Sequence, residues 1–432
     1  MPNPKGVNGY GEKNYPPDDV LRESLLKYVK RKLGQEAKLA RLKEDHSLSI
    51  SIAMLNRIER RLGIPSVRRL KLPREDATQA ILDEVDQDIA QNNGPRFVKD
   101  KLADKLILIP RQTDTLHRDD IRQVMLEHFP AGFTARYPGR KKSTIVRQSL
   151  SAIGPYHEVS ADGHEKLGAL ALKMGDIGIP IYAYKDKWTA YLFSIFTVPD
   201  CRTVGAVGHL YLDFLEETGI APLQLTTDKG SETGWQYAIQ TAIRDTFAPE
   251  IDPEVYPSAA FLKSVHNTVI EAFWRWLREK WGINMREHIL RGKNERIYVS
   301  EVPFHRDLFN WIFPPLIQSQ LDEFRVYWNQ HVIRAQPDKE MPSGHAPADA
   351  LEHPGLFGGL DCGIRVPKEA LQELREALTE EVGPRESLLA WVSPEFDQMA
   401  RTVFQTLNIS KITIEDSWDV FSEMSRKIET LL

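Results

Sequence analysis

The chain has 432 residues, of which 41% are hydrophobic and 27% charged, with a formal net charge of −5. That is the composition of an ordinary globular protein, long enough for several domains of roughly 100–200 residues each. Its two cysteines, Cys201 and Cys362, lie far apart and in no CxxC pattern, which excludes a disulfide scaffold and a cysteine-rich zinc site and fits a reducing compartment. No apolar run reaches the roughly 18 residues of a membrane span, so no membrane partner is expected. The net charge averages unlike segments. Residues 24 to 73 hold 13 Lys and Arg against 4 Asp and Glu, whereas residues 361 to 432 hold 8 against 14. A basic head on a mildly acidic body predicts that the head meets a polyanion.

Residues 1–20 are rich in Pro, Gly and Asn and show no periodicity, so they read as a disordered tail and not as a signal peptide. Residues 21–130 read as helical. Helices are predicted over 21–29, 36–44 and 52–62. In the last, Ile52, Leu55, Ile58 and Leu62 share one face, and Asn56, Arg57, Arg60 and Arg61 another. Helix, short break and basic amphipathic helix is the helix-turn-helix pattern, with Arg57, Arg60 and Arg61 as its DNA-contacting residues. A plain helical hairpin with a solvated basic face has the same pattern. Three further helices, over 78–89, 96–106 and 117–129, form a second DNA-binding unit or a support for the first. Residues 131–154 are a basic linker in which Arg140, Lys141 and Lys142 are candidate DNA contacts.

From residue 155 to 354 the pattern becomes mixed α/β. Strands are predicted over 156–161, 179–185, 187–198 and 223–227, with Asp186 as a turn residue. Helices are predicted over 209–219, 233–247 and 267–281, with a proline-rich loop over 249–257. A further helix over 308–330 is expected to be interrupted at Pro314-Pro315, and residues 336–354 to be extended. Residues 355–432 read as an acidic helical region.

Three carboxylates stand out by position. Asp162 ends the first strand, and Asp228 ends the fourth, before a lysine and a glycine. Open α/β sheets place their sites at such strand ends. Glu271 lies within a helix on one stripe with Asn267, Arg275 and Arg278, opposite a packed stripe of Ile270, Phe273, Leu277 and Trp281. Three acids brought together repel unless a cation lies between them, and hard oxygen donors select Mg²⁺ or Mn²⁺. Two such ions suit an in-line phosphoryl displacement, with the arginines and Asn267 holding phosphates. Trp274 and Trp276 read as core residues.

The order DGHEKL after the first strand, TDKGSE after the fourth and HNTVIEAFWRWLR on the following helix resembles the retroviral-integrase-like DDE family, of the type found in eukaryotic transposable elements. KDKWTAY is similar to the family's second hairpin, and YWNQHVIRAQPDKEMPSGHAP to the segment that closes its core. The resemblance covers about residues 155–354. It implies an RNase H-like core with flanking helices, preceded by the helix-turn-helix region and followed by a helical tail. By position, Asp162, Asp228 and Glu271 match the family's three acids as catalytic and metal-holding residues. The implied activity is polynucleotidyl transfer: nicking of element ends and strand transfer into a target duplex with two Mg²⁺ or Mn²⁺ ions, by a homo-oligomer on DNA, in the nucleus. The chain departs from the family in its long spacing from Asp228 to Glu271, in having no cysteine before Cys201 for the zinc-binding N-terminal domain, and in its acidic helical tail. Two alternatives share the fold: a domesticated, catalytically silent DNA-binding protein, and a structure-specific nuclease that cuts without joining.

Overall fold

The computed structural model describes residues 15–66, 73–88, 93–108, 121–122, 124–125, 151–164, 173–174, 177–228, 230–262, 268–336 and 341–431. Most of the expected tail, nearly all of the linker and most of the helix expected over 117–129 lie outside the described residues. The chain divides into two compact units. One comprises Met1–Gln148, Gln330–Asp338 and Ser343–Phe357. The other comprises Ser149–Asn329, Lys339–Pro342 and Gly358–Leu432.

The first unit is helical. Helices α1 (Asp18–Lys30), α2 (Gln35–His46) and α3 (Ile52–Arg61) enclose a core of Leu21, Leu25, Tyr28, Leu42, Leu55 and Ile58. The apolar residues recur at three and four positions, so each helix turns one stripe inward. Helix α2 ends at Ser47 in the left-handed region, and Ser51 caps α3 by accepting the Met54 N–H at 3.3 Å. Helices α4 (Arg74–Asp86) and α5 (Pro95–Asp104) build a second cluster from Ile81, Val85, Val98 and Leu102.

The basic residues of this unit are not all available to a partner. The Arg31 guanidinium donates to both oxygens of Glu352 at 2.7 and 2.6 Å, and Arg41 to both oxygens of Asp349 at 2.7 Å. Tyr28 and His353 both bond Asp45. Asp349 and Glu352 sit on a short helix, Pro347–Glu352, in a segment expected to be extended. These pairs explain why residues 343–357 pack with the N-terminal helices instead of closing the α/β region at 354.

The second unit is built on a five-stranded sheet of β1 (Glu158–His164), β2 (Ile181–Asp186), β3 (Leu192–Thr197), β4 (Gln224–Asp228) and β5 (Ala259–Leu262), in the order β3-β2-β1-β4-β5. Strands β1, β2 and β3 are antiparallel neighbours. Strands β4 and β5 continue the sheet parallel to β1. The edge strand β5 was not expected. It is four residues long, follows the proline-rich loop and leaves Phe261 44% exposed, too little pattern to read as a strand.

Alternation along β2 separates the two faces. Tyr182 and Tyr184 point to one side, where both bond Gln236 of α7 (Gly234–Phe247) and Tyr184 stacks on Phe214 of α6 (Val204–Thr218). Ile181 and Ala183 point to the other, into a cluster with Ile270, Phe273, Trp274 and Leu277 of α8 (Thr268–Leu277). Helix α8 does not end where expected. It passes through a π-turn, Arg278–Gly282, into α9 (Ile283–Asn294).

Helix α10 (Pro303–Gln330) runs unbroken through Pro314 and Pro315, contrary to the expected interruption. An interior proline costs about 3 kcal/mol. Burial of Phe309, Phe313, Ile317, Leu321 and Phe324 on both sides of the pair offsets it. The amides of Gln318 and Asn329 on α10 bond backbone groups of Thr197, Ile195 and Leu192, which shields the edge strand β3.

Nor is the acidic C-terminal region a separate piece. Helix α11 (Lys368–Val382) sends Arg375 to Asp213 and Glu216 of α6. Helices α12 (Pro394–Gln405) and α13 (Ser417–Glu429) join the main apolar cluster, with Trp418 and Phe421 fully buried. Trp418 lies so close to Gly292 that a Cβ there would come within 2.1 Å of the indole, so only glycine fits.

Candidate acidic site at the strand ends

Asp162 and Asp228 occupy the C-terminal ends of adjacent parallel strands. The β1–β4 ladder runs from Glu158–Gln224 to Ser160–Thr226, and each aspartate follows two residues later on its strand, on the face of that last pair. The Asp228 charge acts on Asp162, so the two carboxylates are neighbours. On the other side of β1, Asp162 lies opposite Ala183, whose face packs against α8. Glu271 is in the first turn of α8.

The three acids feel one another. Burial pushes Asp162 up to about 7, and the charges of Asp228 and Glu271 push the same way. A hydrogen bond from the Trp274 indole, Nε1 to Oδ2 at 3.0 Å, opposes this. Asp228 is also raised, first by burial and then by the Glu271 charge. The site therefore stores like-charge repulsion that a cation would relieve.

The donors are all hard carboxylate oxygens, which suits Mg²⁺ or Mn²⁺. Among the described residues no group of three or more His, Cys, Asp or Glu stands close enough to hold one ion. Asp162 and Asp228 would be the ion's protein ligands, and Glu271 acts on both through its charge.

Two residues before the aspartates, Ser160 and Thr226 pair across the strands. Their hydroxyls are buried and have no hydrogen-bond partner among the described residues. A buried hydroxyl without a partner is costly, so polar demand continues below the acids. The sequence signal for it was the alternation of Glu158, Ser160, Asp162 and His164 along β1, and of Thr226 and Asp228 along β4.

The other candidates scatter. Arg275 is exposed on α8 one turn beyond Glu271, while Arg278 opens the π-turn, so the expected continuous stripe changes phase there. Asn267, Arg140, Lys141 and Lys142 lie outside the described residues. In the first unit Arg57, Arg60 and Arg61 are exposed on α3, with Arg61 paired to Asp18 at 2.7 Å. Asp186 anchors the β2–β3 turn, accepting from the Thr189 N–H and hydroxyl, both at 2.7 Å, and from the Tyr156 N–H at 2.8 Å.

No protein-family model matches the chain, and no curated protein matches it. Among solved structures the comparison finds the Mos1 transposase paired-end complex with left transposon end, at a TM-score of 0.16 and 11% identity, over 64% of this chain and 95% of that one. A TM-score this low carries no weight for fold or function.

Proposed function

We propose that the chain is a DDE-type polynucleotidyl transferase, an integrase or transposase acting on DNA ends, with an RNase H-like core in its second unit. The observation that carries this is the meeting of Asp162 and Asp228 toward the C-terminal ends of adjacent parallel strands, with Glu271 near enough to repel both. A sheet that is antiparallel on one side of β1 and parallel on the other is compatible with that core. Asp162, Asp228 and Glu271 would hold Mg²⁺ or Mn²⁺, which when bound would activate the attacking hydroxyl and stabilise the departing 3′-oxygen.

The remaining work falls to the chain. Burial and the neighbouring acids raise Asp162 to about 7, and a bound cation would favour its ionised form. Arg275, exposed beside Glu271, meets the phosphate backbone, with Arg278 further along. Arg57 and Arg60 give the head an exposed basic face for the element's ends. Oligomerisation on DNA and nuclear location belong to the same reading. The absence of a formed three-ligand group among the described residues favours one rival, a catalytically silent DNA-binding protein.

The test incubates the purified protein with labelled linear DNA and plasmid, with Mn²⁺ or EDTA, beside Glu271→Gln. Metal-dependent joining that the variant lacks is the expected result. Cutting without joining would indicate the nuclease. Salt-sensitive binding with no chemistry across several DNA ends would indicate the silent protein.

A further inference from the structure

Trp274 is 2% exposed and packs on Phe273 in the cluster between α8 and the sheet, as a core residue should. A buried indole N–H needs an acceptor, and the chain meets that need in different ways. Trp328 donates to the Ala190 carbonyl and Trp418 to the His288 carbonyl. Trp274 donates to a carboxylate of the acidic site, Oδ2 of Asp162. Its position on α8 makes this possible: it lies three residues after Glu271, so one helix face carries both the third acid and the donor.

We propose that Trp274 is a positioning residue of the acidic site: its indole N–H fixes the Asp162 carboxylate through Oδ2 and holds the other oxygen ready for a divalent cation shared with Asp228. The inference rests on the metal-holding role given to these acids above. The chemistry of the donor supports it. A lysine or arginine at this place would orient the carboxylate but neutralise it and repel a cation. An indole N–H orients it with no formal charge, and leaves its negative charge for the ion. The packing of the ring on Phe273 locks the donor, which is what a supporting residue requires.

The test measures Mn²⁺ binding to the full chain by calorimetry, with thermal unfolding in parallel, for the natural protein, Trp274→Phe, Trp274→His and Asp162→Asn. Trp274→Phe is expected to lose about tenfold in Mn²⁺ affinity. Trp274→His, which restores a ring N–H, is expected to recover part of it. Should Trp274→Phe fail to fold, benzothienylalanine at position 274 keeps the bicyclic shape and lacks only the N–H, and the same tenfold loss is expected. Unchanged affinity in the variants without the donor, while Asp162→Asn has lost binding, overturns the positioning role and leaves the acidic site standing. Undiminished binding by Asp162→Asn overturns both.

Discussion

Asp349 in the first unit and Asp162 in the second are both carboxylates withdrawn from water, and their surroundings push them in opposite directions. Burial alone would raise Asp349, but the hydrogen bonds from Arg41 and His353 outweigh it and hold the group well below the usual carboxylate range. Asp45 and Glu352 are lowered in the same way, by His353 and Tyr28 and by Arg31, and His353 is itself pushed up to about 9. Among the described residues no cation acts on Asp162. Burial and two more acids raise it. One unit spends its charged residues on holding itself together. The other accumulates charge that its own packing does not satisfy, and such unsatisfied clusters are where chemistry is found.

The comparison breaks most sharply in activity. Asp228→Asn or Glu271→Gln is expected to reduce metal-dependent strand transfer by roughly a thousandfold, equivalent to about 4 kcal/mol of barrier, with DNA binding retained. Glu352→Gln, in the first unit, is expected to leave the rate of the bound complex unchanged. A gel assay of joining at saturating DNA separates the two. Equal losses would mean that the distinction between structural and chemical carboxylates is wrong.

The next largest effect is on stability. Asp349→Ala leaves Arg41 and His353 facing a buried gap, and removing one partner of a buried pair costs about 3–5 kcal/mol. Thermal unfolding should show a lower transition for the first unit. The double replacement Arg41→Met with Asp349→Leu removes both charges and is expected to recover most of the loss.

The two aspartates should also respond oppositely to pH. A depressed acid such as Asp349 stabilises above its unfolded pKa of about 4, and that stability is lost as pH falls. His353 contributes fully below about 6.5, and its contribution is lost as pH rises through about 9. Asp162 is raised, so its contribution is present below about 4 and is lost as pH climbs through about 7. In metal-free protein, Asp162→Asn is therefore expected to raise the unfolding temperature at pH 8 by at least about 2 °C, and to do little at pH 4. Scanning calorimetry at both values checks this. An equal effect at the two would show that the buried, ionised Asp162 is not what destabilises the site.

The strand-end aspartates were legible because each stands where a predicted strand gives way to a glycine-containing turn. The donor role of Trp274 was not legible. An indole on the buried side of an amphipathic helix reads as core, and its acceptor lies 112 residues away. Nor were the roles of Arg31 and Arg41 legible: on a helix, charges at these spacings look like a solvated face, and their partners lie 321 and 308 residues further on. The run through Pro314-Pro315 was decided by the burial of aromatics on either side, which local propensity does not contain.

The smallest stability effects belong to the exposed arginines, and they sharpen the contrast within the head itself. Arg61 is 56% exposed in its side chain and pairs with an Asp18 that is 58% exposed. Such pairs contribute roughly 0–1 kcal/mol, because water screens them and two long side chains must be ordered. Arg61→Ala and Arg57→Ala are therefore expected to shift unfolding within about 0.5 kcal/mol, in contrast to any change at Arg41. Their effect should appear with DNA. If α3 meets phosphates, each substitution lowers the slope of log affinity against log salt by about one, uniformly across sequences. A salt slope unchanged in both variants would remove α3 as the DNA-facing helix and leave its arginines as a solvated surface.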